Sequence, residues 1–156
     1  MRSLFEEQLA AESLATHRAV MSHVDSFVEA LTFLPDPEDY VLGPDEYLEQ
    51  LRRVKEAVSV PVIGSLNGTM EGGWVRYARL IEEAGADALE LNLYELPQRT
   101  QMNGADVERQ LLELVIEVRR ATKLPLAVKI TPFYSSLPHF AAMLVKSGAD
   151  GLVLFN

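Results

Sequence analysis

The chain has no cysteine. That excludes disulfides, thiolate metal sites and a cysteine nucleophile, and it accords with a reducing compartment. Histidine is scarce. His17, His23 and His139 share no ligand spacing, so no ordinary metal site is expected. Basic residues are outnumbered, 14 Lys and Arg against 23 Asp and Glu. The resulting net charge of -9 argues against a nucleic-acid partner, since phosphate backbones are held by clustered cations. No apolar run approaches the roughly 20 residues that a membrane span needs. Glu6 and Glu7 stand where a signal peptide would need an apolar core. A cytoplasmic protein with no membrane partner is the expectation.

What is present is length and order. The 156 residues suffice for one domain with a sizeable core. Residues 3–33 read as helical, with Leu4, Phe5, Leu9, Leu14, Val20, Val24, Phe27 and Leu31 at loosely helical spacing. Pro35 and Pro37 end that stretch, because proline lacks an N–H and restricts the residue before it. Residues 1–44 are thus a helical lead-in and loop. Residues 45–156 then alternate. A helix is expected from Asp45 to Val58, with Leu48, Leu51 and Val54 as its buried stripe. Strands are expected at Val60–Gly64, Ala88–Leu93, Leu124–Ile130 and Gly151–Phe155. Helices are expected at Trp74–Ala84, Asp106–Thr122 and Leu137–Ser147. Gly85 and Gly148 stand where a helix C-terminus wants glycine.

The alternation repeats in its letters. Ala84-Gly85-Ala86-Asp87 returns as Ser147-Gly148-Ala149-Asp150, and Ala57 to Val62 matches Ala121 to Leu126 in pattern. Both recur about 64 residues apart, so one βα unit takes about 32, and eight give about 256, near the usual size of a (β/α)8 barrel. Strands alternating with helices demand a parallel sheet with right-handed crossovers. The fold class is therefore α/β: a partial (β/α)8 TIM barrel in a single domain, with four parallel strands and alternating helices after an N-terminal helical stretch. With no helix after its last strand, the sequence is expected to be a truncated or internal segment. A small doubly wound sheet of four strands is the structural alternative.

In parallel α/β folds the chemistry sits at the carboxyl ends of the strands. Those ends read Ser65-Leu66-Asn67-Gly68, Glu90-Leu91-Asn92-Leu93-Tyr94-Glu95, Lys129-Ile130-Thr131-Pro132 and Leu154-Phe155-Asn156. Three asparagines and a lysine converge there. Lysine between apolar neighbours is rarely found without a partner, and asparagine is disfavoured in strands. Each residue alone could be a strand end satisfied by its loop; together they read as a pocket. Neutral amides offer donors and acceptors side by side, which suits the edge of a planar heterocycle. A buried ammonium suits a ligand that gains negative charge. A flavin ring meets both demands, since charge develops at its N1–C2=O edge on reduction.

Four segments make the sequence resemble the dihydroorotate dehydrogenase family, most closely its bacterial dihydroorotate dehydrogenase-like members. They are Pro61-Val62-Ile63-Gly64-Ser65-Leu66-Asn67, Leu89-Glu90-Leu91-Asn92-Leu93, Val128-Lys129-Ile130-Thr131-Pro132 and Ser3-Leu4-Phe5-Glu6-Glu7-Gln8. The last is similar to the way those members leave their second barrel strand. The resemblance implies an FMN-dependent barrel of pyrimidine biosynthesis that oxidises a CH–CH bond of a dihydropyrimidine. It implies FMN contacts at Lys129, Asn92 and Ser65, and substrate contacts at Asn67, Asn92 and Asn156. A base takes one proton while hydride leaves the neighbouring carbon. Where the family has cysteine or serine as that base, this sequence has Glu95, and burial can raise a carboxylate into that role. The family's FMN phosphate is held by glycine-rich loops after its last two strands. Gly64, Gly68, Gly72 and Gly73 read instead as turn residues.

The small-molecule partner implied is a dihydropyrimidine-like substrate, with a homo-oligomer left open. Two other functions compete. One is a non-catalytic barrel fragment that needs a partner half. The other is a barrel enzyme of different chemistry, such as a phosphosugar isomerase, sharing only the strand-end amides.

Overall fold

The structure is a computed structural model, and it describes residues 4–5, 44–67, 73–93 and 102–155. The elements run β1 (Leu4–Phe5), α1 (Pro44–Ala57), β2 (Ile63–Asn67), α2 (Trp74–Glu83), β3 (Ala88–Asn92), α3 (Gly104–Ala121), β4 (Leu126–Ile130), α4 (Leu137–Lys146) and β5 (Gly151–Leu154). All neighbouring strands pair in parallel, and the sheet order is β1-β2-β3-β4-β5. Sequential order is that of a barrel wall. A doubly wound sheet reverses its order at a switch point, so that alternative is set aside. The four β/α strands expected from the sequence are all present in a partial barrel.

The sheet's two faces differ. Leu66, Leu89, Leu91, Leu126, Val128 and Ile130 point outward and are sealed beneath the helices. Each helix supplies an apolar stripe to them. In α3 the stripe is Val107, Leu111, Leu114, Val115 and Val118, the five positions that 3.6-residue periodicity selects. Asn103 caps α3 by accepting the backbone N–H of Asp106 at 2.9 Å. Arg119 and Arg120 lie in its last turn, where cations complement the helix dipole. The opposite face of the sheet carries Ser65, Glu90, Asn92, Ala127 and Lys129.

Both repeats of the Gly-Ala-Asp motif do the same work at the N-terminal ends of the strands. Gly85 and Gly148 end α2 and α4 at φ 91° and 108°, a conformation that side chains with a Cβ rarely adopt. The aspartate that follows accepts a backbone N–H at, or one residue before, the start of the preceding strand. Asp87 takes that of Val62 at 2.6 Å, and Asp150 that of Leu126 at 2.8 Å. Each also meets a cation, Lys55 at 2.6 Å and Arg119 at 3.1 Å. The repeat in the letters is thus a repeated clamp.

Three expectations are corrected. Leu4 and Phe5 are not helical. They pair with Leu66 and Asn67 and make a fifth, two-residue strand, because the edge of β2 offers unpaired backbone groups there. The rest of the expected 3–33 helix lies outside the described residues. Second, β2 runs from Ile63 to Asn67 rather than Val60 to Gly64. Pro61 has no N–H to give, and Val62 spends its backbone groups on Asp87, so Val60 is left 62% exposed. Third, Gly64 is no turn residue. It lies inside β2, and a Cβ there would overlap Cγ2 of Ile81 in α2. Gly73 does sit at the α2 N-terminus, while Gly68 and Gly72 lie outside the described residues.

Candidate functional site

Strand register assembles the site. Asn67, Asn92 and Lys129 are consecutive Cα partners across β2, β3 and β4, at the carboxyl ends of the three strands. One layer nearer the N-terminal ends stand Ser65, Glu90 and Ala127, again direct partners. Because side chains alternate along a strand, both layers face the same side, away from the helices. Ser65 and Asn67 on β2 and Glu90 and Asn92 on β3 thus meet as a two-by-two polar set, bordered by Lys129 on β4.

The set is wired together. Asn92 Nδ2 donates to Ser65 Oγ at 3.1 Å, and Ser65 Oγ donates to Glu90 Oε1 at 3.2 Å. Lys129 Nζ donates to the same Oε1 at 3.4 Å. Asn92 and Ser65 are 4% and 7% exposed, and the Lys129 and Glu90 side chains are 25% and 22% exposed. Asn67 Oδ1 is buried and has no hydrogen-bond partner among the described residues. Such an acceptor is costly to leave unmade, so it is a place for a donor.

Two tyrosines hold the set from outside. Tyr47 of α1 is sealed behind β2. Its hydroxyl accepts the Ser65 N–H at 2.9 Å and donates to the Ser65 carbonyl at 3.2 Å. Burial pushes its pKa up; the Ser65 backbone bond opposes this, and the nearby Glu90 charge adds to the rise. Tyr134 follows β4. Its hydroxyl donates to the Leu93 carbonyl at 3.3 Å, and its ring stacks on Phe140 at 4.1 Å. Leu93 N–H in turn donates to the Lys129 carbonyl at 2.9 Å. These bonds fix the direction in which the chain leaves β3. The Tyr134 pKa is also raised, chiefly by burial.

Of the residues expected from the sequence, Ser65, Asn67, Asn92 and Lys129 come together. Glu95 and Asn156 lie outside the described residues. Two participants were not anticipated. Glu90 is two residues before Asn92 and so shares its face; strand parity alone exposes that signal. Tyr47 carries no such signal, since a tyrosine in a helical stripe reads as ordinary core.

Chemically the set offers amide and ammonium donors, an amide acceptor and one carboxylate. Lysine has three N–H donors, and Glu90 takes one. The remainder, with Asn67 Oδ1, suits the edge of a ring that carries carbonyl and N–H groups together. Among the described residues no helix is long and apolar enough to cross a membrane. No group of three or more His, Asp or Glu among them is placed to hold a metal ion.

Comparison with known proteins agrees in family. The family model described as dihydroorotate dehydrogenase matches residues 41–156. The NAD-dependent dihydropyrimidine dehydrogenase subunit PreA of Escherichia coli is 38% identical over 117 residues, 72% of this chain and 28% of that protein. The dihydroorotate dehydrogenase B (NAD(+)) catalytic subunit of Methanocaldococcus jannaschii is 31% identical over 129 residues, 79% of this chain and 40% of its own length. A putative dihydroorotate dehydrogenase A (fumarate) of Aeropyrum pernix is 31% identical over 119 residues, 73% of this chain and 37% of that protein. The chain thus spans between 28% and 40% of the length of these relatives. Parallel strands in sequential order, a polar set at their carboxyl ends and a match over most of its length agree: the chain belongs to the dihydroorotate dehydrogenase family.

Proposed function

We propose that the protein is an FMN-dependent oxidoreductase acting on the CH–CH bond of a dihydropyrimidine, in a cytoplasmic setting. The observation that carries the reading is the row Asn67, Asn92, Lys129 on adjacent strand ends. Two relatives support the substrate class by name, one a dihydropyrimidine dehydrogenase subunit and one a dihydroorotate dehydrogenase subunit.

The residues fit the cofactor. Among the described residues, the unpartnered buried acceptor Asn67 Oδ1 and the donors of Lys129 beyond its bond to Glu90 match the mixed donor and acceptor edge of a flavin or a pyrimidine. Lys129, Asn92 and Ser65 would hold the ring, and Asn67, Asn92 and Asn156 the substrate. When bound, FMN supplies a two-electron acceptor for hydride. The protein's own work is positional and electrostatic. Lys129 stabilises negative charge at the ring edge. Asn92, fixed by its bond to Ser65, orients what lies over it. Glu95, two residues beyond Leu93 in the sequence, would take the proton from the carbon next to the hydride donor.

The test is anaerobic addition of dihydroorotate or a simpler dihydropyrimidine to the FMN-loaded protein, expressed from its complete coding sequence. Bleaching of the flavin absorbance is expected, slowed about 10²- to 10⁴-fold by Glu95→Gln. A flavin that stays oxidised with every dihydropyrimidine overturns the assignment of substrate class.

A further inference from the structure

The ion pair beneath the strand ends carries a consequence for the cofactor. Glu90 and Lys129 are not register partners: Lys129 lies opposite Asn92, and Glu90 opposite Ala127. The lysine reaches its carboxylate diagonally, backwards along β4. Ala127 bears only a methyl group, so no side chain at that position stands between them. Glu90 is also tied on its other side, through Oε1, to Ser65 Oγ at 3.2 Å. Two donors therefore hold one carboxylate oxygen of a residue that is itself mostly buried.

We propose that Glu90 is a positioning residue that sets both the place of the Lys129 ammonium and the net charge it presents to the ring. The inference rests on the FMN reading above and deepens it. An unpaired lysine at the end of β4 could swing towards solvent; a lysine tethered to Glu90 keeps its remaining donors over the strand ends. The tether also has an electrostatic effect. A carboxylate 3.4 Å from the ammonium offsets much of its field, and partial burial limits screening by water. Reduction adds electron density to the flavin N1–C2=O edge. A negative charge one layer below opposes that, so Glu90 holds the flavin potential lower than Lys129 alone would set it. The same carboxylate is linked through Ser65 to Asn92, which ties cation and amide into one unit.

The experiment is a redox titration of the FMN-loaded protein, expressed from its complete coding sequence, alongside Glu90→Gln and Glu90→Asp. Glu90→Gln keeps the shape and removes the charge. It is expected to move the equilibrium between oxidised and reduced flavin about tenfold towards reduced, a rise of about 30 mV for a two-electron couple. Glu90→Asp keeps the charge but withdraws it from Lys129 by one methylene. It is expected to shift the potential the same way by a smaller factor, and it carries the test if Glu90→Gln fails to fold. Equal potentials in wild type and variants, with FMN bound in all, overturn the role of Glu90 and leave the functional reading intact. A wild-type protein that takes up no FMN overturns both.

Discussion

The hydroxyl of Tyr47 bonds both backbone groups of Ser65. It accepts that residue's N–H at 2.9 Å and donates to its carbonyl at 3.2 Å. Among the described residues β1 pairs with Leu66 and Asn67, the two positions that follow Ser65 in β2. One buried side chain thereby holds both backbone groups of the residue that joins Asn92 to Glu90.

Tyr47→Phe removes that hydroxyl and with it both of its hydrogen bonds to the buried Ser65 backbone. The expected loss is about 1–3 kcal/mol, read by urea or thermal unfolding. The pH dependence has a definite sign. Burial raises the folded pKa of Tyr47 above the ordinary value of 10.0, so the folded state holds the proton more tightly. The stability this contributes is complete below pH 10 and disappears as pH rises through the folded value. Wild type should therefore lose stability more steeply above pH 10 than Tyr47→Phe. Tyr134 is raised in the same way, so Tyr134→Phe should flatten the slope further. Parallel slopes in all three proteins would contradict this picture of the buried hydroxyls.

Acid acts at the opposite end of the strands. The Lys55 ammonium, with the Val62 N–H, holds the Asp87 carboxyl below its usual value of 3.8. A depressed folded pKa gives stability that is present above pH 3.8 and lost as pH falls through the folded value. Asp87→Asn should lower the melting temperature at neutral pH and flatten the acid limb below pH 4. Melting curves recorded from pH 7 to pH 2 decide it, and an acid limb as steep in the variant as in wild type would sink the assignment.

Gly64 tests the packing between β2 and α2. A methyl group there meets Cγ2 of Ile81, which is fully buried. Gly64→Ala should cost about 1–3 kcal/mol through overpacking. Truncating the neighbour in the same protein should give less than the sum of the single losses, because Ile81→Ala opens the space that Gly64→Ala fills. Denaturant unfolding of the double-mutant cycle checks this. Strictly additive losses would mean that the two positions do not touch.

Sequence legibility followed physical cause. Helix α3 reads plainly because one face of five apolar residues has a single use. Gly85 and Gly148 read plainly because few residues but glycine end a helix at positive φ. The repeated Asp87 and Asp150 clamp is visible as a repeat, though its purpose appears only when the aspartates meet the strand N–H groups. The start of β2 is not legible because an apolar run says nothing of where backbone pairing begins; Asp87 decides that from 25 residues away. Leu4 and Phe5 mimic helical spacing, and only the open edge of β2 makes them a strand. In the site, Asn67, Asn92 and Lys129 were legible because polar residues are out of place in apolar strands. Glu90 was legible in principle by parity, whereas Tyr47 required the fold.

The central claim is that this set of side chains holds a flavin, and Lys129 bears most directly on it. FMN is titrated into wild-type protein, expressed from its complete coding sequence, and into Lys129→Met, with flavin absorbance and fluorescence recorded. Lys129→Met keeps the length of the side chain and removes its charge and donors. Saturable binding by wild type and an affinity at least about tenfold weaker in Lys129→Met, roughly 1.4 kcal/mol, is the predicted result. Equal FMN affinity in the two proteins, or none in the wild type, would contradict it.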